Sequence, residues 1–311
     1  MKSLGNPRIV SFTCDGCRLF GMLHLPPGET PTHAIGVVLL NQGPLDRSGS
    51  HRTSVRLAMQ LASLGFPVLR FDARGVGESE GEWLQPADGE PIRMLWKEIE
   101  EGAWVADTHA AIDFFRGEVG VKKVMLAGLC GGGLTALLAS HHQSVVGVAM
   151  VGMPVRPQSD TQVVGDLLDA HIESEALGYV GKMFELRAWR RFITLQTDYK
   201  ILGAVLLTRL RRLIGLKGAA VSSVNAAIEA SFQHAVKSGC RLLFVYAEGD
   251  YFWIEFQHLF LVQFPQSSYG FSVTSVPQAN HTFTDRAGQE QLEHILMNWS
   301  TVVLEGGEVR A

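Results

Sequence analysis

The stretch Val121–Ser140, VKKVMLAGLCGGGLTALLAS, passes from a short apolar strand into the first turns of a Gly-, Leu- and Ala-rich helix. At the junction, Gly128-Leu129-Cys130-Gly131-Gly132 has the small-x-nucleophile-x-small spacing of a nucleophile elbow, with Cys where Ser is usual. Sterics explain the glycines. A nucleophile on so tight a strand-to-helix turn takes strained backbone angles, and side chains two residues to either side would collide with strand or helix. The helix that follows aims its N-terminus at the same point, which favours negative charge on a thiolate or a developing oxyanion. Read alone, the stretch also fits a Gly-rich turn around an inert buried cysteine, so the rest of the chain must decide.

Outward from the elbow, apolar strands alternate with helices. Ala34–Leu40 (AIGVVLL), Phe66–Phe71, Val124–Ala127 and Val145–Val151 read as buried strands. Arg52–Leu64 and Leu95–Arg116 read as the helices between them. This alternation implies a parallel sheet covered on both faces. Before it, Arg8–Thr13 and Arg18–Leu25 flank an Asp-Gly turn and form an antiparallel hairpin. The pattern breaks after Met153-Pro154. From there to about His234 the segments are helical: Thr161–Ala170, Gly181–Thr197, Ile201–Leu216 and Val224–Lys237. Alternation resumes with Arg241–Ala247, a helix near Trp253–Val262, a strand at Gly270–Val276 and a final helix at Arg286–Val303. The expected organisation is an α/β core over residues 1–153 and 236–311, with a helical lid inserted over 154–235.

Composition narrows the field. A chain of 311 residues that is 46% hydrophobic can bury a large core, and a net charge of −4 with mixed signs gives no reason to expect nucleic acid. No apolar run reaches the length of a membrane span, and the N-terminal MKSLGNPRIVSF lacks the apolar core of a secretory signal. Cys14-Asp-Gly-Cys17 has no second pair to complete a metal site and reads as a turn carrying two incidental thiols. Scattered cysteines fit a reducing, cytoplasmic setting.

If Cys130 is a nucleophile, it needs a base, and the base needs an orienting acid. In doubly wound hydrolases the order along the chain is nucleophile, acid, base, at the ends of later strands. Asp250 follows the strand ending at Ala247, and His281 follows the strand ending at Val276. Both sit beyond strand C-termini, where open α/β sheets bind their ligands. Glu248 is a rival acid, and Asp250 would also cap the next helix. An oxyanion hole needs two backbone donors. Gly131 supplies one. The other comes from the loop after Ala34–Leu40, where Pro44 has no N–H, so Gly43 is favoured over Gln42 and Leu45.

These residues carry a resemblance. The whole chain resembles the α/β-hydrolase superfamily, including its Asp-x-Arg-Gly-x-Gly-x-Ser turn at Asp72–Ser79. It is similar in particular to the exosortase A system-associated hydrolases of type 1. The matching motifs are Asn41-Gln-Gly-Pro44, Arg47-Ser-Gly-Ser-His-Arg52, Phe66-Pro-Val-Leu-Arg-Phe-Asp72, the Cys of the elbow and His281-Thr-Phe283. Gly131 departs from that subgroup, which carries an acidic residue there. The resemblance implies an α/β-hydrolase fold and a Cys130–His281–Asp250 triad.

Attack by a thiolate gives a thioester acyl-enzyme. Because a thiolate leaves more readily than an alkoxide, activated esters, lactones and thioesters are expected substrates rather than peptides. Dienelactone hydrolase, with a Cys in its elbow, is a precedent. The same intermediate permits acyl transfer, and a catalytically silent binding protein with this fold is the rival of another class. No cofactor or metal is expected. The expected partner is a small-molecule or carrier-bound acyl ester or thioester, and a homodimer is compatible with the chain. Gln42, Leu45, Arg47 and Trp189 are candidate substrate contacts. Arg47 serves equally to tie its loop down. The basic residues Arg209, Arg211, Arg212 and Lys217 give the insertion a basic aspect that suits an acidic substrate or an anionic surface, or form an ordinary solvated face.

Overall fold

Eight strands form one sheet: β1 (Arg8–Cys14), β2 (Cys17–His24), β3 (Ile35–Leu39), β4 (Val68–Phe71), β5 (Lys123–Leu129), β6 (Val145–Val151), β7 (Arg241–Ala247) and β8 (Ser272–Val276). Their spatial order is β1-β2-β4-β3-β5-β6-β7-β8. The pairs β1–β2 and β2–β4 are antiparallel, and every later pair is parallel. The computed structural model describes residues 6–28, 33–82, 91–158 and 224–306. The chain divides into two compact units, Met1–Pro157 with Val224–Ala311, and Gln158–Ser223. The expected helices at 161–170, 181–197 and 201–216 lie outside the described residues, and so do Trp189, Arg209, Arg211, Arg212 and Lys217.

Period-two alternation along the central strands builds two cores. Val37, Leu39, Met125, Ala127, Ala149, Val151, Leu243 and Val245 turn to one face. There they join Leu57 and Leu61 of α1 (Thr53–Ser63) and Leu292, Leu296 and Trp299 of α7 (Arg286–Glu305). The intervening residues, among them Val124, Leu126, Val148, Met150, Phe244 and Tyr246, are equally buried and turn to the other face. Among the described residues, the other α-helices of five or more residues are α2 (Pro91–Glu100), α3 (Val105–Val119), α4 (Gly131–Leu138), α5 (Ala226–Lys237) and α6 (Tyr251–Glu255). Helices α2, α3 and α5 each pack on α4. Burial on both faces is why the strands read as unbroken apolar runs.

Two expectations need correction. The helix expected over Leu95–Arg116 is two helices, α2 and α3, separated at Gly102, whose φ of 82° ends a right-handed helix. The helix expected from Trp253 begins at Tyr251, because the Asp250 side chain accepts the Phe252 N–H at 3.0 Å and caps it there. A π-helical turn, Phe256–Phe260, then interrupts it.

Candidate active site

The elbow owes its shape to three close backbone approaches. Cys130 sits at φ 57°, ψ −120°, a sparsely populated conformation that costs about 1–3 kcal/mol and is held by the surrounding structure. Its N–H donates to the Val151 carbonyl at 2.7 Å, which ties the turn to β6. A Cβ on Gly128 would lie 2.3 Å from the Gly132 backbone, and one on Gly132 would lie 2.4 Å from the Asn41 carbonyl oxygen. Neither position admits a side chain. These are the collisions expected from the spacing of the motif.

Gly131 and Gly43 come together. A Cβ on Gly131 would lie 3.5 Å from the Gly43 nitrogen and 3.6 Å from its Cα, so the loop after β3 runs directly beside the residue that follows Cys130. That loop is anchored from below by Asp72, whose side chain is fully buried. The carboxylate accepts the Arg47 N–H at 2.5 Å, the Asn41 amide at 3.3 Å and the Glu78 N–H at 3.4 Å, and it pairs with the Arg47 guanidinium. Asn41 in turn donates to the Leu45 carbonyl at 3.0 Å and accepts the Ala73 N–H at 2.9 Å. Arg47 also faces Glu78 at 3.5 Å. Of the two readings of Arg47, its contacts are those of a tie for the loop. Gln42 accepts the Ser50 N–H at 3.4 Å, and Leu45 is exposed.

Asp250 and His281 also meet. His281 Nδ1 lies 2.7 Å from Asp250 Oδ2. Asp250 is buried and divides its oxygens: Oδ1 caps α6 while Oδ2 holds the imidazole, so capping and orienting coexist. Glu248, the rival acid, is exposed and accepts the Ser275 hydroxyl at 3.0 Å. Burial alone would lower the pKa of His281. The Asp250 carboxylate, and then the hydrogen bond and charge of Cys130, outweigh burial and raise it to about 10. The imidazole is therefore engaged by an acid on one side and the elbow thiol on the other. Phe252 meets it edge-on, with ring centroids 5.2 Å apart. The loop that carries His281 is fixed by Asn280, whose side chain accepts the Thr284 N–H at 3.1 Å and donates to the Thr284 hydroxyl at 2.9 Å.

Two residues of this arrangement escaped the sequence reading. Gly152 sits at φ 54° beneath the pair. A Cβ there would lie 3.1 Å from His281 Nδ1 and Cε1 and 3.4 Å from Asp250 Oδ2. Gly152 follows β6 directly, which is the one signal that marked it. Asp107 of α3 is wholly buried and binds Arg74 of the Asp72–Ser79 turn at 2.6 Å. No group of three or more His, Cys, Asp or Glu among the described residues is placed to hold a metal ion. No described helix is long and apolar enough to cross a membrane.

A mostly parallel sheet with an antiparallel hairpin at one edge, a tight glycine-lined strand-to-helix turn after β5, and an acid and a histidine after β7 and β8 fit the α/β-hydrolase fold. Comparison with known proteins agrees. Residues 32–176 match the family model described as serine aminopeptidase, S33. An alpha-beta serine hydrolase homologue from Coxiella burnetii is similar at a TM-score of 0.54 and 14% identity, over 95% of this chain and 98% of that one. Est1E from Butyrivibrio proteoclasticus, with ferulic acid bound, is similar at 0.55 and 14%, over 95% and 99%. A dienelactone hydrolase from Anabaena variabilis is similar at 0.52 and 16%, over 96% and 100%. No curated protein matches the chain.

Proposed function

We propose that the protein hydrolyses a carboxylic ester or thioester through Cys130, His281 and Asp250. The observation that carries this reading is the 2.7 Å contact between Asp250 and His281, with the same imidazole raised in pKa by Cys130 on the elbow. His281 takes the thiol proton, and Cys130 Sγ attacks the acyl carbon to form a C–S bond. The Gly43 and Gly131 N–H groups hold the resulting oxyanion. His281 returns the proton to the leaving oxygen or sulfur as that bond breaks. It then deprotonates water, which attacks the thioester. The C–S bond breaks, the carboxylic acid leaves and the thiol is restored.

A thiolate leaves more readily than an alkoxide, so a Cys130 nucleophile suits activated acyl groups better than amides. A small-molecule or carrier-bound acyl donor fits this chemistry, and a reducing compartment keeps the thiol available. Intact-protein mass after brief exposure to activated acyl esters and thioesters tests the proposal, with Cys130→Ala alongside. An acyl adduct on the wild type and none on the variant is the expected result. Adducts on both, or turnover that survives Cys130→Ala, would remove Cys130 from the mechanism.

A further inference from the structure

We infer that Glu255 is a positioning residue for the Asp250–His281 pair, acting through the backbone segment 152–156 that it holds against the imidazole. The inference rests on the hydrolase reading above and adds a residue to it. Segment 152–156 continues directly from β6. At its first residue the Gly152 N–H donates to the Val245 carbonyl at 2.8 Å, which fixes it to β7. A Cβ there would stand 3.1 Å from the His281 ring and 3.4 Å from the Asp250 carboxylate, so this backbone lies against both members of the pair. A shift of the segment reaches both.

The far end of the segment belongs to no strand or helix, and one side chain takes its N–H groups. Val155 and Arg156 each donate a backbone N–H to Oε1 of Glu255 at 3.0 Å. Arg156 Nε donates to Oε2, also at 3.0 Å. Glu255 is buried. A buried carboxylate is costly unless its oxygens are bonded, and both are bonded here. Between the ends, the Met153 carbonyl accepts the Tyr246 hydroxyl at 2.7 Å.

Glu255 reaches the pair from a second direction. It is the last residue of α6, and the cap of α6 is Asp250. The guanidinium that meets Glu255 also donates to the Tyr251 hydroxyl at 2.7 Å, so Arg156 ties together the first and last residues of that helix. The path closes on itself. Asp250 caps α6, α6 carries Glu255, Glu255 holds Val155 and Arg156, and the chain runs back to Gly152 against Asp250 and His281. Such a circuit keeps the acid and the base in register, and a misplacement of about 1 Å at reacting groups costs on the order of a hundredfold in rate.

Glu255→Gln and Glu255→Ala separate the two oxygens. Gln keeps an acceptor for the two backbone N–H groups and loses the ion pair, whereas Ala loses both. With p-nitrophenyl acetate as donor, Glu255→Ala should lower kcat by about ten- to a hundredfold, with KM changed far less. In the same variant the His281 ring should titrate below its value of about 10, because the Asp250 hydrogen bond that raises it loosens. Glu255→Gln should recover most of both. Should Glu255→Ala fail to fold, Gly152→Ala presses a methyl group toward the imidazole from the other end of the segment. It should lower kcat and the His281 titration with Glu255 intact. A folded Ala variant at either position with wild-type kcat and titration would overturn the inference, as would Gln acting no better than Ala at position 255. Those outcomes leave the hydrolase reading standing. A wild type that turns over no activated ester or thioester would overturn that reading, and the positioning role with it.

Discussion

Asp72 and Asp250 are the same residue type in the same kind of place, a loop just beyond a strand of one sheet, and both are buried. Their partners differ. Asp72 pairs with the Arg47 guanidinium and with backbone N–H groups of the loop it anchors. Asp250 pairs with His281, which can gain and lose a proton. One carboxylate therefore anchors the loop after β3, and the other holds an imidazole. The partner, and not the acid or its burial, decides which role an aspartate plays.

Substituting each aspartate by asparagine separates the two roles. Asn at position 250 still accepts the Phe252 N–H and still caps α6, since Asn and Asp are similar caps. It removes the charge that orients His281. Asp250→Asn is therefore expected to slow turnover roughly 10²–10⁴-fold, the range general-base catalysis supplies, with little change in melting temperature. Steady-state kinetics and thermal denaturation on one preparation check both halves. A variant that unfolds would make Asp250 structural and dissolve the contrast.

Asp72→Asn is expected to do the reverse. Breaking a buried pair while leaving the Arg47 guanidinium in place costs about 3–5 kcal/mol. Chemical denaturation should show that loss as a lower midpoint. The fraction still folded should keep the His281 environment of the wild type, because Asp72 touches neither His281 nor Asp250. A variant with native stability and no turnover would place Asp72 in the chemistry instead.

The raised pKa of His281 gives a third way to sharpen the comparison. Its folded value of about 10 lies above the ordinary 6.5, so the imidazolium stabilises the fold. That contribution is fully present below pH 6.5 and is lost as pH rises through about 10. Two of the upward influences come from Cys130. Cys130→Ser removes the sulfur behind both influences, so the imidazole should titrate at lower pH while staying bonded to Asp250. An NMR titration of the ring nitrogens reads the shift directly. An unchanged titration would mean that the thiol and the imidazole do not interact.

Much of this was legible in the chain, and the reasons are local. Strands buried on both faces leave continuous apolar runs, and the elbow leaves its glycines at fixed spacing because their Cβ atoms would strike backbone. Asp250 and His281 were findable because topology places such residues after particular strands. Gly152 was not, because it matters through contact with side chains from two other loops, and nothing within its own neighbours encodes that. Asp107 was hidden for a like reason: its partner Arg74 is far off in sequence, and on a helix an aspartate looks like a solvated residue until its partner is known. The break between α2 and α3 rests on the backbone angle of Gly102, which a helical spacing of apolar residues passes over.

The smallest expected effect is the most discriminating for the acid. Glu248 lies two residues before Asp250, and sequence order alone permits either to orient His281. Its carboxylate accepts the Ser275 hydroxyl and is exposed to water, whereas Asp250 is buried against the imidazole. Water screens an exposed carboxylate, so even a nearby one would bias the imidazole weakly. Glu248→Gln keeps an acceptor for Ser275 and should change stability by no more than about 0.5 kcal/mol, with kcat/KM and its pH dependence unmoved. If Glu248→Gln slows turnover as far as Asp250→Asn does, the working acid is not the buried one, and partner identity has been outweighed by something the resting geometry does not display.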